Sequence, residues 1–229
     1  MRVAALYDIH GNLPALEAVL AEVESAAVDV VVVGGDVVSG PFPAATLELL
    51  LGLGGRVRFL RGNADRLEAE PDWVGAQFDA GRRALITTWP AAVVLEPAGL
   101  GAVRFCHGSP RSDEESITPA TPDRRLRPML AGVVESVVVC GHTHMQFDRV
   151  AGRHRVVNAG SVGMPYEGRR GAYWALLGPG VELRRTAYDA VRAAARIRSD
   201  GHPEAAPAFA ELVLRPPTRA EATAAFEPA

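Results

Sequence analysis

The chain has 229 residues, of which 48% are hydrophobic, and a formal net charge of -3. This length and composition can bury one large core, with or without an appendage. A dedicated nucleic-acid binder would normally be basic, so the mild negative charge disfavours that class and no polymeric nucleic acid is expected as a partner. No run of 18 apolar residues is present. We therefore expect neither a membrane span nor a signal peptide.

Short apolar runs alternate with amphipathic segments in the first part of the chain. The pattern predicts strands over 2–7, 30–33 and 57–60, with helices over 12–27 and 43–51 between them. Pro14 suits the first turn of the first helix, which Asn12 could cap. This β-α-β-α-β order is typical of a right-handed parallel arrangement.

The second part of the chain is richer in turn residues. The sequence predicts a helix over 72–88, a hairpin of strands 93–95 and 103–106, a helix over 123–130 and a buried strand over 137–140. Four short strands, at 146–150, 155–157, 172–176 and 181–185, are expected to form a second, mostly antiparallel sheet. A helix is predicted over 188–198, weak order over 201–217, and a last helix after the capping box of Thr218 and Glu221.

Both cysteines end a predicted strand, directly before His107 and Gly141. Side chains alternate along a strand, so if His107 faces a site, Cys106 faces away from it. Buried free thiols are therefore favoured for Cys106 and Cys140 over a disulfide or a metal-binding pair. A reducing, cytoplasmic location fits this interpretation.

Five short polar clusters each follow one of the apolar runs. Ligands in open α/β sheets bind outside the carboxyl ends of the strands, so these clusters predict one common site. Four of the six histidines of the chain fall in them. The clusters are Asp8-Ile9-His10-Gly11-Asn12, Gly34-Gly35-Asp36, Gly62-Asn63-Ala64-Asp65, Cys106-His107-Gly108 and Gly141-His142-Thr143-His144.

The residue types in these clusters are those of metal ligands. Asp8 and His10 are two residues apart, and in extended backbone such side chains point the same way, so both can bind one cation. His142 and His144 repeat this spacing. Asp36 follows two glycines, which permit a tight turn, and its carboxylate can bridge two cations.

Asn63 and His107 would complete a ligand set of mixed oxygen and nitrogen atoms without a thiolate. Such a set suits Mn²⁺, with Fe or Zn²⁺ as alternatives, better than Ca²⁺. Two ions about 3.5–4 Å apart would activate a shared water as hydroxide, neutralise phosphate oxygens and hold the nucleophile and leaving group in line. The sequence therefore predicts two divalent transition-metal ions.

The order of these motifs resembles the calcineurin-like metallophosphoesterase superfamily, and more closely its small bacterial and archaeal phosphodiesterase branch. The loop over 158–163 looks like that branch's N-P-G-S loop, with Ala159 in place of proline. The resemblance covers residues 1–186 and implies a four-layer α/β/β/α sandwich of two mixed sheets, with the metal site at the carboxyl ends of the strands. Residues 187–229 are then a C-terminal helical extension, packed on the domain or trailing from it.

The resemblance also implies how the ligands divide. One ion would be held by Asp8, His10, Asp36 and His144, and the other by Asp36, Asn63, His107 and His142. The members of the second set, Asp36, Asn63, His107 and His142, are the residues expected to act in catalysis.

One position departs from the pattern. Many members of the superfamily carry a histidine where this chain has Ala64. That histidine helps to protonate the leaving group or grips the phosphate, and alanine can do neither. General-acid help, typically worth ~10²–10⁴-fold, must come from elsewhere or be absent.

Substrate contacts are expected from Asn12, Asp65 and Arg111. Asn12 combines this role with capping the first helix, and Arg111 lies in a polar stretch that could form the lip of the site. His154 has no motif around it and is expected at the surface.

The resemblance implies a metal-dependent phosphoesterase, foremost a phosphodiesterase that hydrolyses small nucleotide-like diesters. A phosphomonoesterase or phosphoprotein phosphatase is the first alternative. A non-catalytic scaffold is the second, since the superfamily includes a trafficking subunit with a degraded site. All seven ligand positions are intact in this chain. The expected partner is a small-molecule phosphoester, with no membrane partner, and the oligomeric state is open.

Overall fold

Two mixed five-stranded sheets form within residues 1–67 and 72–227, which the computed structural model describes. In the first sheet, β1 (Val3–Leu6), β2 (Val30–Val33) and β3 (Val57–Phe59) run parallel. On the other side of β1, β9 (Ala172–Leu177) and β10 (Val181–Thr186) pair antiparallel, so that the strand order is β10-β9-β1-β2-β3.

The second sheet also has five strands, of which the outer two are antiparallel to their neighbours. Its central strands β5 (Val103–Cys106), β6 (Val137–Cys140) and β8 (His154–Asn158) are parallel. Antiparallel partners lie at both edges, β4 (Ala92–Leu95) on β5 and β7 (Phe147–Ala151) on β8. The predicted hairpin before residue 107 is therefore confirmed.

The helices follow the amphipathic segments of the sequence. Asn12 begins the first helix: its Oδ1 accepts a hydrogen bond from the Ala15 N–H at 3.3 Å, as predicted for a cap. The last helix begins at the capping box of Thr218 and Glu221. The α-helices of the described residues are α1 (Leu13–Ser25), α2 (Pro43–Leu51), α3 (Ala80–Thr87), α4 (Asp123–Met129), α5 (Ala190–Asp200), α6 (Ala206–Leu214) and α7 (Arg219–Phe226).

Three apolar clusters separate four layers. Along β1, Ala4 and Leu6 face the helices of the first sheet, whereas Val3 and Ala5 face the second sheet, because successive side chains of a strand point to opposite faces. On the far side, Cys140 packs among the residues under α4. The expected α/β/β/α sandwich with two mixed sheets is confirmed.

Tyr7 links the two sheets at the end of β1. Its ring is fully buried between them, and its hydroxyl donates a hydrogen bond to the Val139 carbonyl of β6 at 3.1 Å. Cys106 and Cys140 are free and buried, and Cys106 faces the third cluster, away from His107, as the alternation predicts.

Two predictions about secondary structure are wrong. The helix predicted over 72–88 is interrupted by extended backbone at Phe78, and α3 begins only after Asp79, whose Oδ1 accepts a hydrogen bond from the Arg82 N–H at 2.7 Å. The segment over 201–217 is not weakly ordered, since it contains α6. Phe209 and Val213 of that helix pack on α5 in a fourth apolar cluster.

The predicted separate antiparallel sheet over 146–185 is also wrong. β7 and β8 extend the second sheet, whereas β9 and β10 return to the first. Every residue of β9 is buried, which suits a strand covered on both faces better than one with a solvated face. The return of β9 covers the edge of β1 that β2 leaves open.

The C-terminal helices pack against the sandwich. The cluster of α5 and α6 includes the partly buried Phe42 and Met164, and Arg219 of α7 donates to the Gln146 carbonyl at 2.8 Å. The expected division at residue 186 stays a prediction. No helix among the described residues has both the length and the apolar character needed to span a membrane.

Candidate metal centre

Six of the seven expected ligands form two compact groups at the carboxyl ends of the strands. Asp8, His10 and His144 make the first group. In this group, as in the other, the potential ligand atoms lie within 4.8 Å of one another. The second group is Asp36, His107 and His142. Each group combines loops of both sheets, so the centre is assembled only when the two sheets pack together.

The pair of histidines after β6 is divided between the groups. The i, i+2 spacing would let His142 and His144 bind one cation only if the backbone between them were extended. His144 joins Asp8 and His10, whereas His142 joins Asp36. The backbone is not extended there, because φ is 64° at His142 and 56° at His144. The observed grouping coincides with the division that the family resemblance implies.

Five of the seven expected ligands have left-handed backbone. Asp8, His10 and Asp36 have φ values of 51°, 46° and 51°. Such values are uncommon in non-glycine residues, although Asp and His tolerate them better than most, and each costs on the order of 1–3 kcal/mol. Hydrogen bonds between loops hold this conformation, such as that from the His10 N–H to the Asp36 carbonyl at 2.8 Å.

Asp36 lies between the two groups. Its Oδ2 is 3.7 Å from His10 Nε2 and 3.4 Å from His107 Nε2. In the same way, Asp8 Oδ1 is 3.4 Å from His144 Nε2 and 3.8 Å from His107 Nε2. Asp8 Oδ1 is buried and has no hydrogen-bond partner among the described residues. A buried oxygen of this kind is costly unless a cation or another donor compensates it.

Backbone carbonyls orient three of the histidine rings. The Nδ1 atoms of His10, His107 and His144 lie 3.2, 2.9 and 2.7 Å from the carbonyl oxygens of Ser39, Gly34 and Met164. A carbonyl can only accept, so each neutral ring carries its proton on Nδ1. The lone pair of Nε2 then points into the centre, which is the arrangement that metal-binding histidines use.

The spacing of the inward atoms fits metal ligation. His10 Nε2 and His144 Nε2 are 3.2 Å apart, and His107 Nε2 is 3.1 Å from Asn63 Oδ1. Two ligand atoms that are each about 2.1 Å from one ion lie about 3.0–3.4 Å apart when the ligand–ion–ligand angle is between a right angle and the tetrahedral angle. The second contact brings the amide of Asn63 into the second group, so all seven expected ligands meet at the centre.

Three motif glycines allow this close packing. A Cβ on Gly62 would lie 2.2 Å from Asp36 Oδ1, and one on Gly141 would lie 2.5 Å from Asp8 Oδ2. At Gly35 a Cβ would lie 2.6 Å from His107 Nδ1. Real Cβ atoms do not approach other atoms so closely, so the glycines are required by the ligands that they touch.

In the metal-free centre, the neighbouring carboxylates favour the protonated form of His107. Burial opposes its charged form, but the hydrogen bond and charge of Asp36, with the charge of Asp8, outweigh burial and raise the pKa of His107 to about 10. Burial also opposes ionisation of Asp36, yet His107 and His10 hold its pKa well below the ordinary value. Burial lowers the pKa of His10 and of His142, which favours their neutral forms.

Asp65 lies behind the centre, and its expected substrate contact stays a prediction. It is buried, and its carboxylate accepts hydrogen bonds from the backbone N–H groups of Asp36, Val37 and Gly62 at 2.8, 2.8 and 3.0 Å. Burial and the charge of Asp36 raise the pKa of Asp65 to about 7, against the lowering effect of these donors. The geometry gives Asp65 a positioning role for the loop of Asp36.

Asn12 is likewise committed to the fold. Its amide is fully buried, and while Oδ1 caps α1, Nδ2 donates to the Gly163 carbonyl at 2.7 Å. Asn12 therefore ties the loop after β1 to the loop over 158–163, and its expected substrate contact stays a prediction.

Arg111 lies at the rim, as expected for a lip residue. It pairs with Glu115 and remains exposed. A cleft of about 130 Å³ beside His107 is lined by Arg111, Arg61 and Ser109. His154, expected at the surface, is buried instead, with its Nε2 3.2 Å from the Val133 carbonyl.

Two aromatic residues at the centre have no motif to reveal them. The Tyr166 ring lies 4.6 Å from the ring of His144, and the Phe226 ring lies 5.9 Å from that of His142, measured between centroids. Tyr166 belongs to a glycine-rich loop and Phe226 to the last helix. Neither periodicity nor ligand spacing points to them.

Comparison with known proteins shows which family has this fold and this ligand set. The family model of the calcineurin-like phosphoesterase superfamily domain matches residues 1–177. The chain belongs to this superfamily, whose members use divalent metal ions, and membership supports a phosphoester hydrolase. Among curated proteins, none matches the sequence at a significant level.

Solved structures with the same fold include proteins from bacteria and archaea. A metallophosphoesterase from Sphaerobacter thermophilus is 24% identical, with a TM-score of 0.74 over 94% of this chain and 98% of that one. A hypothetical protein from Pyrococcus horikoshii OT3 is 21% identical, with a TM-score of 0.78 over 95% and 99%. An archaeal phosphodiesterase is 16% identical, with a TM-score of 0.54 over 81% and 99%. At these identities the likeness shows the fold.

Proposed function

We propose that the protein is a metal-dependent phosphodiesterase that hydrolyses small nucleotide-like diesters with two divalent ions, Mn²⁺ foremost and Fe or Zn²⁺ as alternatives. The substrate is a small molecule rather than polymeric nucleic acid or a membrane surface, and the location is cytoplasmic. The position of Asp36 carries this proposal: one carboxylate oxygen lies within 3.7 Å of His10 Nε2 and 3.4 Å of His107 Nε2, between the two ligand groups.

The side chains have distinct roles in this proposal. Asp36 would bind both ions, and the backbone carbonyls behind His10, His107 and His144 would keep their Nε2 atoms on the ions. When bound, two divalent ions lower the pKa of water and neutralise the non-bridging oxygens of a phosphate. Arg61 and Arg111, which line the cleft beside His107, are placed to meet the outer part of a phosphoester.

Ala64 narrows the substrate class. It lies beside the centre, where its backbone N–H donates to Asp36 Oδ1 at 2.7 Å, and its methyl group offers no proton to a departing oxygen. Substrates with good leaving groups are therefore favoured over monoesters with poor ones. The archaeal phosphodiesterase of the same fold provides a precedent for diester hydrolysis.

A scaffold role is disfavoured by the geometry. Side chains of a degraded site would diverge, whereas the seven ligands of this chain converge, and they do so through five loops that the sandwich brings to one edge. Strained backbone at five of these residues is a cost that a purely structural surface would have no reason to keep.

The experiment is hydrolysis of bis(p-nitrophenyl) phosphate by protein reloaded with Mn²⁺, with Mg²⁺ and Ca²⁺ in parallel. We expect turnover that is fastest with Mn²⁺ and slower release of p-nitrophenol from the monoester. A panel of cyclic nucleotides and dinucleoside polyphosphates then narrows the substrate. Absence of diester hydrolysis in metal-loaded protein contradicts the proposal, and faster monoester hydrolysis favours a phosphatase.

Restoring the missing imidazole tests the interpretation of Ala64. Nitrophenolate leaves without a proton, whereas an alkoxide needs one, so wild-type rates should depend steeply on leaving-group pKa. The variant Ala64→His should narrow the gap between aryl and alkyl diesters by accelerating the alkyl ones. Equal, shallow slopes for both proteins would mean that another acid already serves.

A further inference from the structure

Two aromatic rings line the candidate centre beside its histidines. Tyr166 is tilted by 31° against the ring of His144, a member of the first ligand group, at 4.6 Å. Phe226 lies 5.9 Å from His142, a member of the second group, and 6.4 Å from Tyr166. The rings of Tyr166 and Phe226, called the aromatic wall below, thus run along both groups.

The wall is partly open to solvent. Tyr166 and Phe226 are each half-buried, neither sealed in the core nor fully exposed. An apolar ring beside a polar centre does not add to any of the apolar clusters of the fold. Part of each residue remains accessible to solvent.

The helix that carries Phe226 is fixed at both ends. At its start, Arg219 pairs with Glu167 at 2.8 Å and donates to the Gln146 carbonyl at the same distance. At its end, Glu227 accepts a hydrogen bond from Thr118 Oγ1 at 2.8 Å and pairs with Arg125 at 2.5 Å. These contacts place the ring of Phe226 although α7 buries little apolar surface of its own.

The two halves of the wall are also held together. Glu167, the partner of Arg219, directly follows Tyr166, and the Gly168 N–H donates to the Pro217 carbonyl at 2.8 Å. The loop of Tyr166 and the start of α7 therefore form one connected support. Phe226 lies outside residues 1–177 that match the family model, so this half of the wall comes from the C-terminal extension.

We infer that the aromatic wall binds a flat ring of the substrate, a nucleobase or an aryl group, while the phosphate lies at the metal centre. Stacking on an aromatic side chain is tolerant of ring identity, because every base has a π face. The wall would thereby select diesters that carry such a ring over aliphatic ones. This inference rests on the proposed phosphodiesterase function and names the substrate feature that the C-terminal extension recognises.

The test compares two product-like ligands that differ only in the ring. Adenosine 5′-monophosphate and ribose 5-phosphate present the same phosphate, and only the first carries a base. Their Kd values for Mn²⁺-loaded protein are measured by titration calorimetry, which needs no turnover. For the wild type we expect adenosine 5′-monophosphate to bind on the order of tenfold more tightly.

Two variants of one residue isolate the ring. Phe226→Leu keeps an apolar side chain of similar size. It should weaken the binding of adenosine 5′-monophosphate and so remove most of the preference, while the Kd of ribose 5-phosphate stays unchanged. Phe226→Trp keeps an aromatic face and should keep the preference. Thermal unfolding of both variants checks that α7 remains in place.

Three results would overturn the inference. The wild type could show no preference for adenosine 5′-monophosphate, or Phe226→Leu could weaken the binding of both ligands equally. Tighter binding of adenosine 5′-monophosphate by that variant would mean that the ring blocks access to the centre. The outcome is independent of catalysis. A preference that Phe226→Leu abolishes supports the wall even if the wild type hydrolyses no diester, in which case the proposed function alone fails.

Discussion

The carboxylate of Asp65 accepts the backbone N–H of Asp36 at 2.8 Å, and the carboxylate of Asp36 accepts the backbone N–H of Ala64 at 2.7 Å. Each acidic residue thus holds the loop that carries the other. The two loops follow neighbouring parallel strands, β2 and β3, so this reciprocal pair sets the position of the Asp36 carboxylate relative to Asn63. The second ligand group depends on it.

The first prediction concerns Asp65→Asn. The hydrogen-bond partners of the Asp65 carboxylate among the described residues are backbone N–H donors, those of Asp36, Val37, Val38 and Gly62. An amide would turn its own N–H₂ toward one of them, so we expect a loss of about 1–3 kcal/mol in the free energy of unfolding and weaker metal binding. Urea unfolding and Mn²⁺ titration at pH 8, above the raised pKa of Asp65, measure both.

The matched control is Asp79→Asn. Asp79 caps α3 through the Arg82 N–H, and asparagine caps helices about as well as aspartate. This variant should unfold like the wild type. An Asp65→Asn protein as stable and as metal-avid as the control would show that Asp65 does not position Asp36.

The second prediction ranks the ligands. Asp36→Ala should reduce activity more than His107→Ala or Asn63→Ala, because Asp36 alone would touch both ions. Without its charge the two cations would repel each other in a poorly screened site. Rates measured at saturating Mn²⁺ decide this, and a higher residual activity in Asp36→Ala than in the other two would exclude the bridging role.

The third prediction follows from the pKa of His107, raised to about 10 in the metal-free protein by Asp36 and Asp8. A histidine whose pKa is raised on folding contributes stability that is complete below its unfolded pKa of about 6.5. That stability is lost as the pH rises through about 10. We expect the free energy of unfolding of the wild type to fall across this window relative to that of His107→Gln.

Bound metal should abolish this dependence, since a ligated imidazole has already lost its proton. Calorimetry at pH 8 in buffers of different ionisation enthalpy should find about one more proton released on metal binding by the wild type than by His107→Gln. Equal proton release, with parallel stability profiles, would mean that His107 is neutral in the metal-free centre.

Much of the architecture could be predicted from local patterns. The bounds 30–33, 43–51 and 137–140 coincide with β2, α2 and β6, because apolar runs between glycine, proline and polar residues leave few alternatives. The order of the motifs placed the ligands at one edge. Which sheet a strand joins was harder to predict, since β9 completes the first sheet only by pairing with β1, more than 150 residues away in sequence.

The detailed geometry of the centre could not be predicted from spacing. An i, i+2 rule assumes extended backbone, whereas both i, i+2 pairs have left-handed φ values. Asp8 and His10 lie in one group, and His142 and His144 lie in different groups. The roles of Asp65 and Asn12 depend on which N–H and carbonyl groups surround them in the folded chain. Phe226 reaches the centre from a helix more than 80 residues away in sequence from His142.

The fourth prediction tests the backbone strain. His142 has φ of 64°, which glycine adopts freely and alanine does not. His142→Gly should therefore be more stable than His142→Ala, by about 1 kcal/mol, in the metal-free protein. The control pair is made at His154 in strand β8, where alanine should be the more stable of the two. If the alanine variant is the more stable one at both positions, the backbone at His142 is not strained.

The central claim is that Asp36 joins two metal ions, and anomalous diffraction from crystals of the Mn²⁺-loaded protein tests it most directly. We predict two anomalous peaks about 3.5–4 Å apart, with the carboxylate of Asp36 between them. Asn63 and His107 should contact the ion that His142 binds, and Asp8, His10 and His144 the other. A single peak, with Asn63 and His107 turned away from it, would contradict the account.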